Sequence, residues 1–138
     1  MVSEKEKILQ QWLEKGFEEL DSAECLSIYR HPTPDETICY LCQQAAEKYL
    51  KAYIFSHDII PDNTHDLKML LLKCQTYEAS FSTLFSSAQI LNAYGVLPRY
   101  PNDLGITEED MKKALSNAKK IQEFVLKIFN TTITDSTE

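Results

Sequence analysis

The stretch CYLCQQAAEKYLKAYI, residues 39–54, decides the fold of this chain. At about 100° of rotation per residue, its side chains divide between two faces of a helix. One face carries Gln44, Lys48 and Lys51, with Gln43 and Glu47 beside them. The pattern predicts an amphipathic helix whose polar face is either solvated or a binding site. The opposite, apolar face predicts a core and consists of Ile38, Cys42, Ala45, Ala46, Tyr49 and Tyr53.

Apolar residues at three- and four-residue steps predict helices along the rest of the chain, and no segment predicts a strand. Thr33 as N-cap and Pro34 at the first position begin the second helix. The third begins at a cap on Asn63 or Thr64, and the fifth at Thr107. The predicted helices cover about residues 4–28, 34–56, 64–74, 80–94 and 107–130.

This order of elements predicts an all-α fold, an up-and-down four-helix bundle with one additional short helix. We expect residues 1–130 to form the bundle and the polar residues 131–138 to form a disordered C-terminal tail.

Composition excludes several classes of protein. With 138 residues the chain fits one domain, and its net charge of −7 argues against bulk nucleic-acid binding. No apolar run reaches the roughly 18 residues of a membrane span, and the charged N-terminus is unlike a signal peptide. The four cysteines lie mostly in helical patterns, which favours a reduced, cytoplasmic setting.

The spacing of Cys39 and Cys42 is that of a zinc knuckle or a redox motif. A structural zinc site needs four ligands, and the chain has no second pair of this spacing. We therefore interpret both cysteines as core residues. With only three glycines there is no phosphate-binding glycine-rich loop either. The sequence predicts no metal, no cofactor and no catalytic residue.

The polar residues of the central helix have two interpretations. Glu47 and Lys51 have the favourable orientation of a helical ion pair, so a solvated face explains them without a function. His65 is expected in the first turn of the third helix, where free backbone N–H groups favour an anion. The run Thr64, His65 and Asp66 is equally consistent with a capping arrangement that binds no ligand.

The most unusual loop is LPRYP, residues 97–101. The two prolines restrict the backbone on both sides of Arg99. An arginine next to Tyr100 suits contacts to a phosphate and a base, and it suits a buried structural ion pair equally well.

Together these segments resemble the HEPN domain family over roughly residues 5–130. The resemblance rests on Cys39, residues 44–48 (QAAEK), 50–52 (LKA), 64–67 (THDL) and 99–101 (RYP), and on Ala114 and Ala118. It implies a bundle of four or five helices and homodimer formation. Some members of the family are associated with nucleotide binding and with a small nucleotidyltransferase partner, often as a toxin–antitoxin pair.

Other members of the family are metal-independent ribonucleases that carry the motif R-x(4–6)-H. That motif is absent here: the positions after Arg30 and Arg99 where a histidine is required hold other residues. A ribonuclease would have to combine His65 and Arg99 from different segments, one as acid or base and the other as phosphate ligand.

The sequence therefore predicts a non-catalytic HEPN-type bundle that binds a nucleotide or another phosphate-bearing ligand and acts with a nucleotidyltransferase. The alternatives are a protein-interaction or dimerisation module without ligand, and a ribonuclease. The predicted ligand contacts are Gln44, Lys48, Lys51, His65, Arg99 and Tyr100.

Overall fold

All regular structure in the described part of the chain is helical. The computed structural model describes residues 2–95 and 105–136, with side chains in 2–95 and 105–131. The elements are α1 (Glu4–Tyr29), α2 (Asp35–Phe55), α3 (Leu67–Gln75), a 3₁₀ helix (Ala79–Leu84), α4 (Phe85–Asn92) and α5 (Glu108–Ser136). The predicted all-α bundle is confirmed.

Helix α1 runs antiparallel to α2. Lys5, at the start of α1, donates a hydrogen bond from Nζ to the carbonyl of Ser56, just after α2, at 3.0 Å. Midway along, α1 contributes Gly16, and a Cβ built there would lie 3.0 Å from the Tyr49 ring and 3.3 Å from Cβ of Lys48. Glycine therefore permits a close approach of the two helices at this point.

Helix α5 runs parallel to α2 and antiparallel to α4, which gives the up-and-down order. Gln122 donates to the Tyr49 hydroxyl at 2.8 Å, which joins α5 to α2. Ser87 of α4 donates to Asn117 of α5, also at 2.8 Å. Helix α3 packs against α2 and α4 as the additional short helix.

Helix α2 is the centre of the bundle and contacts each of the other α-helices. Both cysteines near its start, Cys39 and Cys42, are fully buried. Burial raises the pKa of the Cys39 thiol to about 12 and raises that of Cys42 as well. The interpretation of this pair as core residues is confirmed.

Two of the predicted helix starts are wrong. Pro34, not Thr33, occupies the N-cap of α2 and makes no side-chain cap, while Thr33 donates a hydrogen bond to the Asp35 carboxylate. The N-cap of α3 is Asp66, not Asn63 or Thr64, so α3 begins later than the sequence predicts.

A contact with α4 explains where α3 begins. Asp66 accepts a hydrogen bond from the backbone N–H of Lys68, and its carboxylate also accepts one from the amide of Asn92. The side-chain oxygen Oδ1 of Asn92 accepts from the backbone N–H of Leu67 at 2.8 Å. A partner distant in sequence therefore satisfies an N–H group at the start of this helix.

The last two segments also differ in length from the prediction. The single helix expected over residues 80–94 is divided into the 3₁₀ helix and the eight-residue α4. The backbone of α5 is helical as far as Ser136, beyond the expected end of the bundle at residue 130. The division of the chain at that residue stays a prediction. Within the described ranges, no helix is long and apolar enough to cross a membrane.

Candidate functional site

The polar face of α2 is buried. Gln43, Gln44, Glu47 and Lys51 have exposed fractions of 0, 8, 3 and 5%. The interpretation of this face as solvated is therefore wrong for these four residues. Since buried polar groups lose water, each of them needs partners inside the protein.

Glu47 is the residue on which most of these contacts converge. Its Oε2 lies 3.0 Å from the ammonium of Lys51, so the predicted helical ion pair forms, but in a buried setting. Its Oε1 lies 2.8 Å from Nδ1 of His65. Burial by itself would raise the pKa of Glu47, but hydrogen bonds to His65 and Lys51 outweigh it and lower the pKa below its ordinary value.

A chain of side-chain amides extends this cluster along α2. Gln43 donates from Nε2 to the backbone carbonyl of His65 at 2.9 Å. Gln44 donates to Oε1 of Gln43 at 2.6 Å, and Lys48 donates to Oε1 of Gln44 at 3.4 Å.

Glu19 of α1 lies at the far end of this chain of contacts. Its Oε1 is 3.3 Å from Nζ of Lys48, within ion-pair distance but without the angles of a hydrogen bond, and the atom is buried. Burial raises the pKa of Glu19, and the charges of Lys48 and Lys15 offset part of that effect. Sequence analysis missed Glu19, because nothing in the α1 pattern distinguishes it from the exposed carboxylates of that helix.

His65 links the buried cluster to solvent. Its side chain is 60% exposed, and the residue precedes α3, so the predicted placement of His65 in the first turn of that helix is wrong. Because a carboxylate only accepts, the contact with Glu47 places a proton on Nδ1. Nε2 of the neutral ring is then an acceptor on the exposed side of the imidazole.

Four of the six predicted contact residues belong to one network. Gln44, Lys48, Lys51 and His65 are joined through the side chains of Gln43 and Glu47. The other two, Arg99 and Tyr100, lie outside the described residues.

The two ends of the network reach different neighbours. At one end His65 lies before α3. At the other end Lys48 lines a groove of about 300 Å³ between α1 and α2, together with Ile8, Gln11, Trp12 and Lys15. His65 is not among the residues lining that groove, so Lys48 and His65 do not share this groove.

The geometry of the bundle agrees with the comparison to known families. The model of the HEPN domain matches residues 9–128. The chain belongs to the HEPN domain family. A crystal structure of TT1696 from Thermus thermophilus has the same fold, with a TM-score of 0.72 and 24% sequence identity. The alignment covers 86% of this chain and 96% of TT1696. No curated protein matches the chain.

The described part of this HEPN domain contains no group of three or more His, Cys, Asp or Glu side chains able to hold a metal ion. The network on α2 offers side-chain amides, the ammonium groups of Lys48 and Lys51, the carboxylates of Glu19 and Glu47, and one imidazole.

Proposed function

We propose that this HEPN domain binds a nucleotide or another phosphate-bearing ligand and acts with a small nucleotidyltransferase as a toxin–antitoxin pair. One observation carries the ligand-binding part: a network of charged and amide groups is buried in α2 and reaches the surface at His65 and Lys48. Gln44, Lys48, Lys51 and His65 belong to that network. Arg99 and Tyr100 remain candidate contacts from the sequence alone.

The cost of burial supports a functional role for this network. Replacing a buried ion pair by apolar residues of similar volume is often neutral or stabilising. Replacing Glu47 and Lys51 together by apolar residues is therefore expected to leave the bundle folded, whereas removing one partner alone leaves a buried charge unpaired. The fixed positions of Glu47 and Lys51 orient the groups next to them, His65 on one side and the amides on the other, which is what a pre-organised binding site requires.

Isothermal titration calorimetry with a panel of nucleotides tests the proposal. We expect binding tighter than millimolar by the wild type, weakened by Lys48→Ala or by His65→Ala according to which surface end of the network holds the ligand. Lys112→Ala is the matched control, because Lys112 belongs to an exposed ion pair with Glu108 on α5. Absence of binding by the wild type, or equal binding by Lys48→Ala, His65→Ala and the control, would refute ligand binding at this network.

A second candidate function is a protein-interaction module, and the surface of α3 favours it. Met69 and Leu72 are more than half exposed on this helix, and Ile60 beside it is 85% exposed. Lys68 and Lys73 are interspersed with these apolar groups, and α3 contains no acidic residue. Exposed apolar groups close together on one surface mark interaction sites, and the lysines favour an acidic partner. A nucleotidyltransferase or a second copy of this chain is the proposed partner.

Co-purification with a nucleotidyltransferase encoded beside the gene tests this candidate, and sedimentation tests dimer formation. Leu72→Asp places a charge in the apolar surface of α3 and is expected to abolish the complex. Glu123→Lys, on the exposed side of α5, is the control. A monomer that does not bind the nucleotidyltransferase would rule out the interaction module.

A ribonuclease is the third candidate, and the contact between Glu47 and His65 favours it. A carboxylate that fixes the tautomer of an exposed imidazole is an arrangement suited to general acid–base catalysis. Incubation of RNA with the pure protein in EDTA tests it. Cleavage that His65→Ala abolishes would establish the activity, and absence of cleavage by the wild type would dismiss it.

A further inference from the structure

We propose that the groove between α1 and α2 is the site that holds a mononucleotide, with the base on the indole of Trp12 and the phosphates at Lys15 and Lys48. This inference rests on the proposed ligand-binding function and places the ligand on α1, which the sequence did not implicate. The groove has a volume of about 300 Å³, at the lower limit of small-molecule sites.

The side chains that line this groove share one face of α1. Ile8, Gln11, Trp12 and Lys15 recur at three- and four-residue steps, so they form a continuous row along the helix. Lys48 faces them from α2. The close approach of α1 and α2 at Gly16, one residue after Lys15, fixes the separation of the two walls.

Apart from the amide oxygen of Gln11, the polar groups in this groove are hydrogen-bond donors. Gln11 offers an amide, Trp12 an indole N–H, and Lys15 and Lys48 offer ammonium groups, whereas none of the lining residues carries a carboxylate. The lining of the groove is therefore basic, although the whole chain has 21 acidic and 14 basic residues. A groove that presents donors and two ammonium groups suits an anion, and the Glu19 carboxylate 3.3 Å from Lys48 offsets only part of this positive charge.

The donors of Lys15 and Trp12 are free to meet a ligand. Within the described part of the chain, no side chain lies within ion-pair distance of Lys15, and no acceptor takes the indole N–H of Trp12. Lys48 forms an ion pair with Glu19 at 3.3 Å and donates a hydrogen bond to Gln44 at 3.4 Å. These contacts fix the position of its ammonium group and leave the side chain partly exposed. Its side chain keeps 18% of its surface exposed.

The aromatic ring narrows the class of ligand. A phosphate alone would need only the lysines. An indole beside the lysines gives a flat apolar surface on which any nucleobase can stack, and such stacking tolerates different bases. The geometry therefore points to a nucleoside phosphate bound without strong preference for the base.

Trp12 is the only tryptophan in the chain, so its fluorescence reports on the groove directly. ATP and GTP serve as probes, and ribose 5-phosphate serves as a phosphate ligand without a base. We expect both nucleotides to quench the emission of Trp12 and to bind more tightly than ribose 5-phosphate. The same titrations are followed by calorimetry, which detects binding anywhere on the protein.

Variants separate stacking from charge. Trp12→Ala is expected to weaken nucleotide binding by about tenfold, a loss in the range produced by removing a base–aromatic stack. Trp12→Phe keeps an aromatic surface and is expected to restore most of the affinity in calorimetry. Lys15→Ala is expected to weaken binding and reduce its dependence on salt, whereas Lys112→Ala leaves it unchanged. Far-UV circular dichroism establishes that each variant is folded.

The outcomes distinguish this inference from the proposed function. Calorimetric binding that leaves Trp12 emission and the affinity of Trp12→Ala unchanged would place the ligand elsewhere and overturn the groove alone. Equal affinity for ribose 5-phosphate and ATP would overturn the stacked base. Absence of binding to any probe would overturn the proposed ligand function, and the groove with it.

Discussion

At the scale of single residues, two glutamates in the same network have pKa values that are shifted in opposite directions. Glu47 is nearly fully buried, yet hydrogen bonds to His65 and Lys51 lower its pKa. Glu19 has one ion-pair partner in Lys48, and burial raises its pKa. The difference lies in the number of donors at each carboxylate, since burial alone disfavours the charged form of both.

These opposite shifts predict opposite effects of pH on stability. A lowered pKa in the folded state means that Glu47 stabilises the fold above the ordinary glutamate pKa of about 4.3 and loses this contribution as pH falls. A raised pKa in the folded state means that deprotonation of Glu19 lowers the free energy of unfolding as pH rises towards that pKa. Glu47→Gln and Glu19→Gln remove the two effects separately.

Urea unfolding at a series of pH values measures the prediction. The free energy of unfolding of Glu47→Gln, relative to wild type, is expected to decrease from acid to neutral pH. That of Glu19→Gln, relative to wild type, is expected to increase. The same sign of change for both variants would contradict the assignment of opposite pKa shifts.

The ion pair of Lys51 with Glu47 allows a second prediction at this scale. Lys51→Met removes the cation and leaves a buried carboxylate short of one partner, so we expect a loss of about 3 kcal/mol in the free energy of unfolding. Lys112→Met breaks the exposed pair with Glu108 and is expected to cost less than about 1 kcal/mol. Equal losses in the two variants, measured by urea unfolding, would mean that burial does not strengthen the dependence of Glu47 on Lys51.

At the scale of elements, the close contact of α1 with α2 depends on Gly16. A methyl group at this position would lie 3.0 Å from Cε2 of Tyr49, a rigid ring in the core. We expect Gly16→Ala to destabilise the protein by about 1–2 kcal/mol, because overpacking outweighs the gain of about 1 kcal/mol in helix propensity.

Ser22→Ala is the matched control for Gly16→Ala, since Ser22 is an exposed residue of the same helix. It is expected to leave the thermal midpoint almost unchanged or to raise it slightly. A rise of the midpoint in Gly16→Ala as well would show that the two helices can separate without cost. In that case Gly16 would not fix the walls of the groove.

The elements also show which parts of this structure a sequence can predict. The core face of α2 was predictable, because residues such as Cys42 and Tyr49 follow the helical period within one segment. The burial of Glu47 was not, because it depends on a histidine from another segment. The start of α3 was missed for the same reason: its cap is completed by Asn92 of α4.

The candidate site also contains residues that the sequence could predict and residues that it could not. The sequence identified Gln44, Lys48 and Lys51 from their shared face, and the structure joins them to His65. It did not identify Trp12 or Lys15, which meet Lys48 only when α1 packs against α2. Periodicity within one helix reveals a face, whereas the partners of that face depend on the packing of separate helices.

At the scale of the whole molecule, the four cysteines report on the integrity of the bundle. Cys25 is exposed on α1, whereas Cys39, Cys42 and Cys74 are buried in the core. The thiolate is the reactive form, and burial raises the pKa of each buried thiol, that of Cys74 to about 12. A buried thiol is therefore protected twice, by lack of access and by lack of thiolate.

This arrangement predicts one fast-reacting thiol in the native protein. With a thiol reagent such as dithionitrobenzoate, Cys25 is expected to react at once and Cys25→Ser to remove the fast phase. The three buried thiols lie on α2 and α3, which pack against each other, so we expect them to react together and only through global unfolding. Their common rate then follows the free energy of unfolding as urea is added. Fast reaction of Cys74 alone would instead mean that α3 opens independently, and the bundle would be less cooperative than its packing implies.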